Sequence, residues 1–201
     1  MRNLISRLLS SLSNAGASAV GHVTEAVGAA RGVGANVAEA IHAPRFLYSV
    51  ECVGADGSVR WSESFFNLVT TGGKNDLLTQ YFKGSAYTAA FFVGLVDNAS
   101  FTAIAAGDTM ASHAGWLESA AYSNATRPAL TLGTPAAGAV DNSASKASYT
   151  VNATATINGA FTATNSTKSG TTGVLYSAGS FSGTRSVISG DTLNVQVTLS
   201  V

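Results

Sequence analysis

Charge is scarce in this 201-residue chain: 11% of residues are Asp, Glu, Lys or Arg, and the two signs cancel to a formal net charge of zero. That balance excludes a general nucleic-acid binder, which needs a basic surface to displace counterions from phosphates, so no specific nucleic-acid partner is expected. Freely dispersed proteins carry about 25% charged residues. Here the polar surface falls to Ser, Thr, Asn and Gly. Hydroxyls lose far less hydration energy than ions on burial. The composition therefore suits a surface covered in an assembly, although β-rich exported proteins share it.

Cysteine is nearly absent. Cys52 stands alone, which excludes an internal disulfide and any multi-cysteine zinc site. Lying in a strand-like stretch, it reads as a small buried hydrophobe. No uninterrupted apolar run of about 20 residues occurs, so no membrane-spanning helix is expected. Residues 3–12 have a signal-peptide flavour, but Arg7 splits the apolar run and no A-x-A site follows. Arg2 and Arg7 flank Leu4, Ile5, Leu8 and Leu9, yet the charge is too low for a membrane-surface helix. The expectation is synthesis in a reducing cytoplasm and no membrane partner.

What is present changes character near Pro44. Before it, Leu4, Leu8, Leu12, Ala19, Val23, Val27, Ala30, Val33, Val37 and Ile41 recur at steps that draw one apolar stripe along a helix. Gly16, Gly21, Gly28, Gly32 and Gly34 interrupt it, each costing about 1 kcal/mol against Ala in a helix interior. Alone in water such a helix is marginal; it needs a partner surface. Residues 1–45 thus read as an extended helical anchoring arm. Its expected anchors are Leu4, Leu8, Leu12, Val23, Val27 and Val37.

From Phe46 the period switches to two. Residues 46–53 and 58–65 flank Gly54-Ala-Asp-Gly57, a hairpin turn signature. Residues 75–82 predict a short helix capped by Asn75, with Leu77, Leu78, Tyr81 and Phe82 as its apolar face. Residues 87–96 predict a strand buried on both faces, and 97–127 mostly loop. Residues 146–157 and 160–164 predict two strands turned by Asn158-Gly159. A strand over 174–181 follows, and 192–201 alternate cleanly. The expected fold is mainly β: an antiparallel β-sandwich or jelly-roll domain over residues 46–201 with one short helix.

Motifs for catalysis are missing: no G-x-S-x-G elbow, H-E-x-x-H pair or Walker loop occurs. His113, with Asp108 and Glu118 nearby, is the one candidate base in the β domain, but a loop histidine bonding a backbone carbonyl is the simpler expectation. Gly72-Gly73-Lys74 reads as a strand-to-helix turn rather than a phosphate loop. Glu51, Glu63 and Glu118 would make an acid pair only if folding joined two of them. Asp97, Asp141 and Asp191 lack EF-hand spacing. No cofactor, no metal and no catalytic residue is expected. Trp61, Phe65, Phe66, Tyr81, Phe82, Tyr87, Phe91 and Phe92 crowd one stretch, either as a carbohydrate platform or, at strand and helix spacing, as core.

The stretch from Trp61-Ser-Glu-Ser-Phe-Phe-Asn to Ala-Ala-Phe-Phe-Val-Gly-Leu95 resembles small virion structural proteins of tailed bacteriophages. So do Ala106-Gly-Asp-Thr-Met-Ala-Ser-His-Ala-Gly-Trp116, Val140-Asp-Asn-Ser-Ala-Ser-Lys-Ala-Ser148 and Ser189-Gly-Asp-Thr-Leu-Asn-Val-Gln-Val-Thr-Leu199. The resemblance covers roughly residues 46–201 and carries no catalytic residue. It implies a bacteriophage structural protein, located in the virion and made in the host cytoplasm. The role expected first is capsid decoration (cement) or head accessory protein; the alternative is a tail fibre, collar or head-to-tail accessory subunit. A virion-displayed protein that binds or cleaves glycans ranks below both. The partners implied are the major capsid protein or portal and tail proteins, and copies of itself, with a trimer as the arrangement the resemblance suggests.

Overall fold

The computed structural model describes residues 44–83 and 90–201. The arm, with Leu4, Leu8, Leu12, Val23, Val27 and Val37, lies outside the described residues, as does Tyr87.

Alternation builds the first sheet. In β1 (Arg45–Val53) every second residue, from Phe46 through Tyr48 and Val50 to Cys52, is buried. In β10 (Thr192–Ser200) Leu193, Val195 and Val197 do the same. The two pair antiparallel with Tyr48 opposite Val197 and Val50 opposite Val195, so both apolar sets face one side. Each large side chain so buried contributes about 1.5–3 kcal/mol. On the other side of β1 lies β2 (Val59–Phe66), joined by the expected turn: the Gly54 amide donates to Ser58 O at 2.8 Å and the Asp56 carboxylate accepts the Ser58 amide at 3.0 Å. β6 (Ala139–Asp141) and β7 (Ala147–Thr150) both pair with β10, completing an antiparallel sheet in the order β2-β1-β10-β6.

The second sheet runs β3-β9-β8-β4-β5, again antiparallel, from β3 (Leu68–Val69), β9 (Leu175–Val187), β8 (Ala155–Ala163), β4 (Phe92–Asp97) and β5 (Leu117–Glu118). Both sheets feed one apolar cluster, which takes Tyr48, Val50 and Val195 from the first and Val93, Leu95 and Ile157 from the second. Buried phenols tie them together. The Tyr48 hydroxyl bonds Thr162 and, at 3.0 Å, Ser177; Tyr149 donates to Val93 O at 2.6 Å. Burial pushes the Tyr48 phenol up to about 12. A second cluster holds Met110, Trp116 and Phe161.

Three expectations need correction. Asn158-Gly159 is no hairpin turn: β8 runs straight through it. The register with β9 jumps from Ile157 opposite Arg185 to Gly159 opposite Ser180, so Phe181 to Thr184 form an arch against Asn158 alone, with Phe181 in the core. A Cβ on Gly159 would strike the Gly179 carbonyl oxygen, so glycine is there for close approach of two backbones, not for a turn. The helix starts earlier than expected: α1 spans Thr71–Leu77, capped by Thr70 and not Asn75. Thr70 Oγ1 accepts the Gly73 amide at 3.0 Å while donating to the Leu175 carbonyl, a bond to β9 that local sequence does not reveal. Gly72 to Lys74 are therefore the helix's first turn. A π-helical turn, Leu78–Phe82, continues it. Third, the apolar face of that helix is not core, as described below. The strand expected over 87–96 runs Phe92–Asp97, with Val93 to Val96 buried as anticipated.

Replacing Gly159 with Ala should destabilise the domain by about 1–3 kcal/mol through forced backbone separation. Gly107→Ala, with open space around the position, should leave the urea midpoint within error. Equal midpoints for the two variants would refute the close approach.

Candidate functional site

The loop between β4 and β5 places His113 as the sequence anticipates. Its Nδ1 lies 2.8 Å from the Trp116 carbonyl oxygen and its ring stacks on the Trp116 indole, centroids 4.0 Å apart. A carbonyl only accepts, so Nδ1 carries the proton and donates it to Trp116. His113, Leu117, Glu118, Ser169, Gly170 and Thr171 line a recess of about 320 Å³. The chemistry stops there. The Asp108 carboxylate accepts the Trp116 indole N–H and the Ala105 amide, both at 2.9 Å, and holds the loop rather than the histidine.

Glu118 is occupied too. Arg127, 1% exposed, grips it through Nε at 2.9 Å and Nη2 at 2.7 Å, and the Ser169 amide adds a third bond at 2.7 Å. Arg127 also donates to the carbonyls of Asn165 and Gly170, and its guanidinium lies 5.2 Å from the Phe161 ring centroid. Lys168 Nζ donates to the carbonyls of Tyr122 and Asn124, each at 2.9 Å. The arrangement fastens the 117–127 segment to the 165–170 loop. Sequence reasoning missed Arg127, because its carbonyl partners Asn165 and Gly170 lie 38 and 43 positions away.

The remaining carboxylates do not converge. Glu63 stands opposite buried Val50 on the inner face, whereas Glu51 points to the other face beside Ser62. Glu63 accepts the Ser182 amide and pairs with Arg185, both at 2.5 Å. Trp61 Nε1 donates to Ser186 O at 3.1 Å, so two β2 side chains satisfy backbone groups of β9. Burial raises the Glu63 carboxyl, but the Ser182 amide and Arg185 outweigh it and hold it below its ordinary value of 4.5. Asp97 and Asp141 each accept an amide two residues on, at 2.7 and 2.8 Å. Asp191, fully buried, accepts the Ile188 amide at 3.0 Å and the Cys52 thiol at 3.6 Å, with Arg60 Nε 2.9 Å from its second oxygen. Burial and the Asp191 charge push the Cys52 thiol up to about 12, in keeping with a passive interior residue. Among the described residues no group of three or more His, Cys, Asp or Glu is placed to hold a metal. None of their helices is long and apolar enough to cross a membrane.

The aromatic stretch divides. Trp61, Phe65 and Phe91 pack against the core, and Phe65 meets Phe181 edge-on at 5.2 Å. Phe66, Tyr81 and Phe82 are 64, 77 and 74% exposed, and Leu78 is 54% exposed. The helix thus turns most of its large apolar residues outward, contrary to the expectation of a core face. On its inner flank Asp76, Leu77, Gln80 and Tyr81 face Phe91, Tyr176 and Leu199 across a groove of about 290 Å³.

Arg127→Met leaves Glu118 without its main partner, and should cost about 3–5 kcal/mol in urea denaturation. A loss under about 1 kcal/mol would contradict the clamp. Glu63→Gln gives a pH signature. The depressed carboxyl adds stability that is full above its unfolded value near 4.5 and vanishes as pH falls through the lower folded value. The variant should therefore be the less stable near neutral pH and converge with the parent in acid; a gap independent of pH would refute the pairing.

No family model matches this chain, and the comparisons with curated proteins and with solved structures returned no match either.

Proposed function

We propose that this chain is a bacteriophage virion structural protein, a capsid decoration (cement) or head accessory subunit whose work is docking rather than catalysis. Its two sheets pack as a β-sandwich of jelly-roll-like form, and the helical arm of residues 1–45 supplies further contact through Leu4, Leu8, Leu12, Val23, Val27 and Val37. One observation carries the reading. The β unit engages Asp108, Glu63 and Glu118 internally while Leu78, Tyr81, Phe82 and Phe66 stand in solvent. Exposed large apolar side chains grouped on one helix are a feature of protein contact sites. The low charge lowers the desolvation cost of covering the rest. The resemblance of residues 46–201 to tailed-phage virion proteins selects the particle as the setting, with the major capsid protein, or portal and tail proteins, as partners.

Mechanically, the β domain would sit between neighbouring shell subunits while the arm grips along them. A standard interface buries on the order of 1,600 Å². Spreading contact over an arm and a domain raises affinity by linkage without any single strong bond. The test is co-sedimentation of the full chain, and of a variant lacking residues 2–43, with empty shells of the phage that encodes it. The full chain should pellet with shells and the truncated one should bind at least about tenfold more weakly. Undiminished binding would refute the arm's role, and pelleting with neither shells nor tails would overturn the proposal.

A further inference from the structure

The groove on the inner flank of α1 and its π turn differs from the recess beside His113 in what its polar groups lack. Beside His113 the one carboxylate, Glu118, is already held by Arg127. In the α1 groove Asp76 and Gln80 share a space of about 290 Å³ with Leu77, Phe91, Tyr176 and Leu199. Gln80 Nε2 donates to one Asp76 oxygen at 3.2 Å, which fixes the nitrogen and oxygen ends of the amide. Gln80 Oε1 is then left buried with no hydrogen-bond partner. A buried acceptor left unmet is destabilising. Among the described residues no Lys, Arg or His lies within ion-pair distance of Asp76, and no cationic residue lines the groove. The groove thus offers spare acceptors, one of them on a carboxylate, and no cation to meet them. Its walls suit a cation as well. Phe91 and Tyr176 meet edge-on with centroids 5.2 Å apart, and aromatic ring faces attract positive charge.

We propose that this groove binds a small organic cation, a primary ammonium group carried on an apolar body of about the size of one ring. The body lies against Leu77, Phe91, Tyr176 and Leu199, and the ammonium meets the second Asp76 oxygen and Gln80 Oε1. An ammonium has only donors, so it answers a pair of acceptors where a carboxylate would repel Asp76. The terminal torsion of a glutamine is broad, so the amide turns its oxygen toward the ligand as Asp76 takes the charge. Size agrees with this class of ligand. A cavity of about 150 Å³ holds benzene. The groove, at about 290 Å³, takes a ring with a short aminoalkyl chain. Leu78 and Phe82, exposed on the same helix, do not line the groove, so the site is separate from any docking through them.

Isothermal titration calorimetry of the full chain at neutral pH reads the site, with 2-phenylethylammonium chloride as the probe. The parent should bind it with a Kd of about 0.1–1 mM, the range expected for so small a ligand. The neutral 2-phenylethanol should bind about fivefold more weakly and the anionic 3-phenylpropionate at least about tenfold more weakly. Asp76→Asn should weaken the ammonium about tenfold and leave 2-phenylethanol within about twofold, and Gln80→Met should weaken the ammonium about threefold. Leu77→Trp places a larger side chain in the groove and should abolish binding of both probes, with a urea midpoint near the parent's because Leu77 is 37% exposed. A parent that does not bind the ammonium overturns the proposal, as does one that binds 3-phenylpropionate equally well. Binding indifferent to Leu77→Trp, or to Asp76→Asn, would place the cation elsewhere and overturn it too.

Discussion

The bidentate grip of Arg127 on Glu118 is the constraint on which most of the loop architecture rests. Between β4 and β7 the chain runs through a long stretch with little regular structure beyond the short strands β5 and β6 and a single 3-10 turn at Ser143–Ser145. Such a stretch cannot hold itself by ladder bonds. Scattered backbone bonds, such as Ser119 to Leu95 and Leu130 to Phe91, are reinforced by a few charged and aromatic fasteners: Arg127 with Glu118, Lys168 over Tyr122, and Asp108 under the Trp116 indole. A buried ion pair is not a strong stabiliser against an apolar substitute, but removing one partner strands the other. In a chain with so few charges, placing this pair in the interior is a structural commitment. The pair's oxygens and nitrogens are met by Ser169, Asn165 and Gly170, so the clamp fixes two loops in one geometry.

The same economy recurs at β2. Trp61 and Glu63 turn inward and satisfy backbone groups of β9, Glu63 within its arch at Phe181 to Thr184 and Trp61 at Ser186 just beyond it. Asp191, Arg60 and Cys52 close the adjoining end. Carboxylates that a catalytic reading would have recruited are thus engaged in folding. The helix that follows β3, by contrast, turns Leu78, Tyr81 and Phe82 outward.

Legibility from sequence followed the range of the forces involved. The Gly54 to Gly57 turn and the alternation of Leu193, Val195 and Val197 are decided within a few residues, and both were readable. The bond of His113 to a carbonyl was readable for the same reason. Asn158-Gly159 carries local turn chemistry, but the near backbone of Gly179 and the arch in β9 decide otherwise. Thr70 caps the helix because β9 offers it the Leu175 carbonyl, a partner more than a hundred positions away. The helix's apolar residues were assigned to the core because most amphipathic helices turn that face inward. Here Gly73, set against the Tyr176 backbone, takes the inner position, and the large side chains face out. Arg127 carried no signal, since its partners are scattered over loops.

On the proposed reading, a β unit that pairs its buried charges internally joins other subunits through an outward apolar helix and the arm. A side-chain-resolution map of the phage particle carrying this chain tests it most directly. The account predicts density for the β unit on the particle, with Leu78, Tyr81 and Phe82 covered by protein. A particle without this chain, or one in which those three side chains face open solvent, would contradict it.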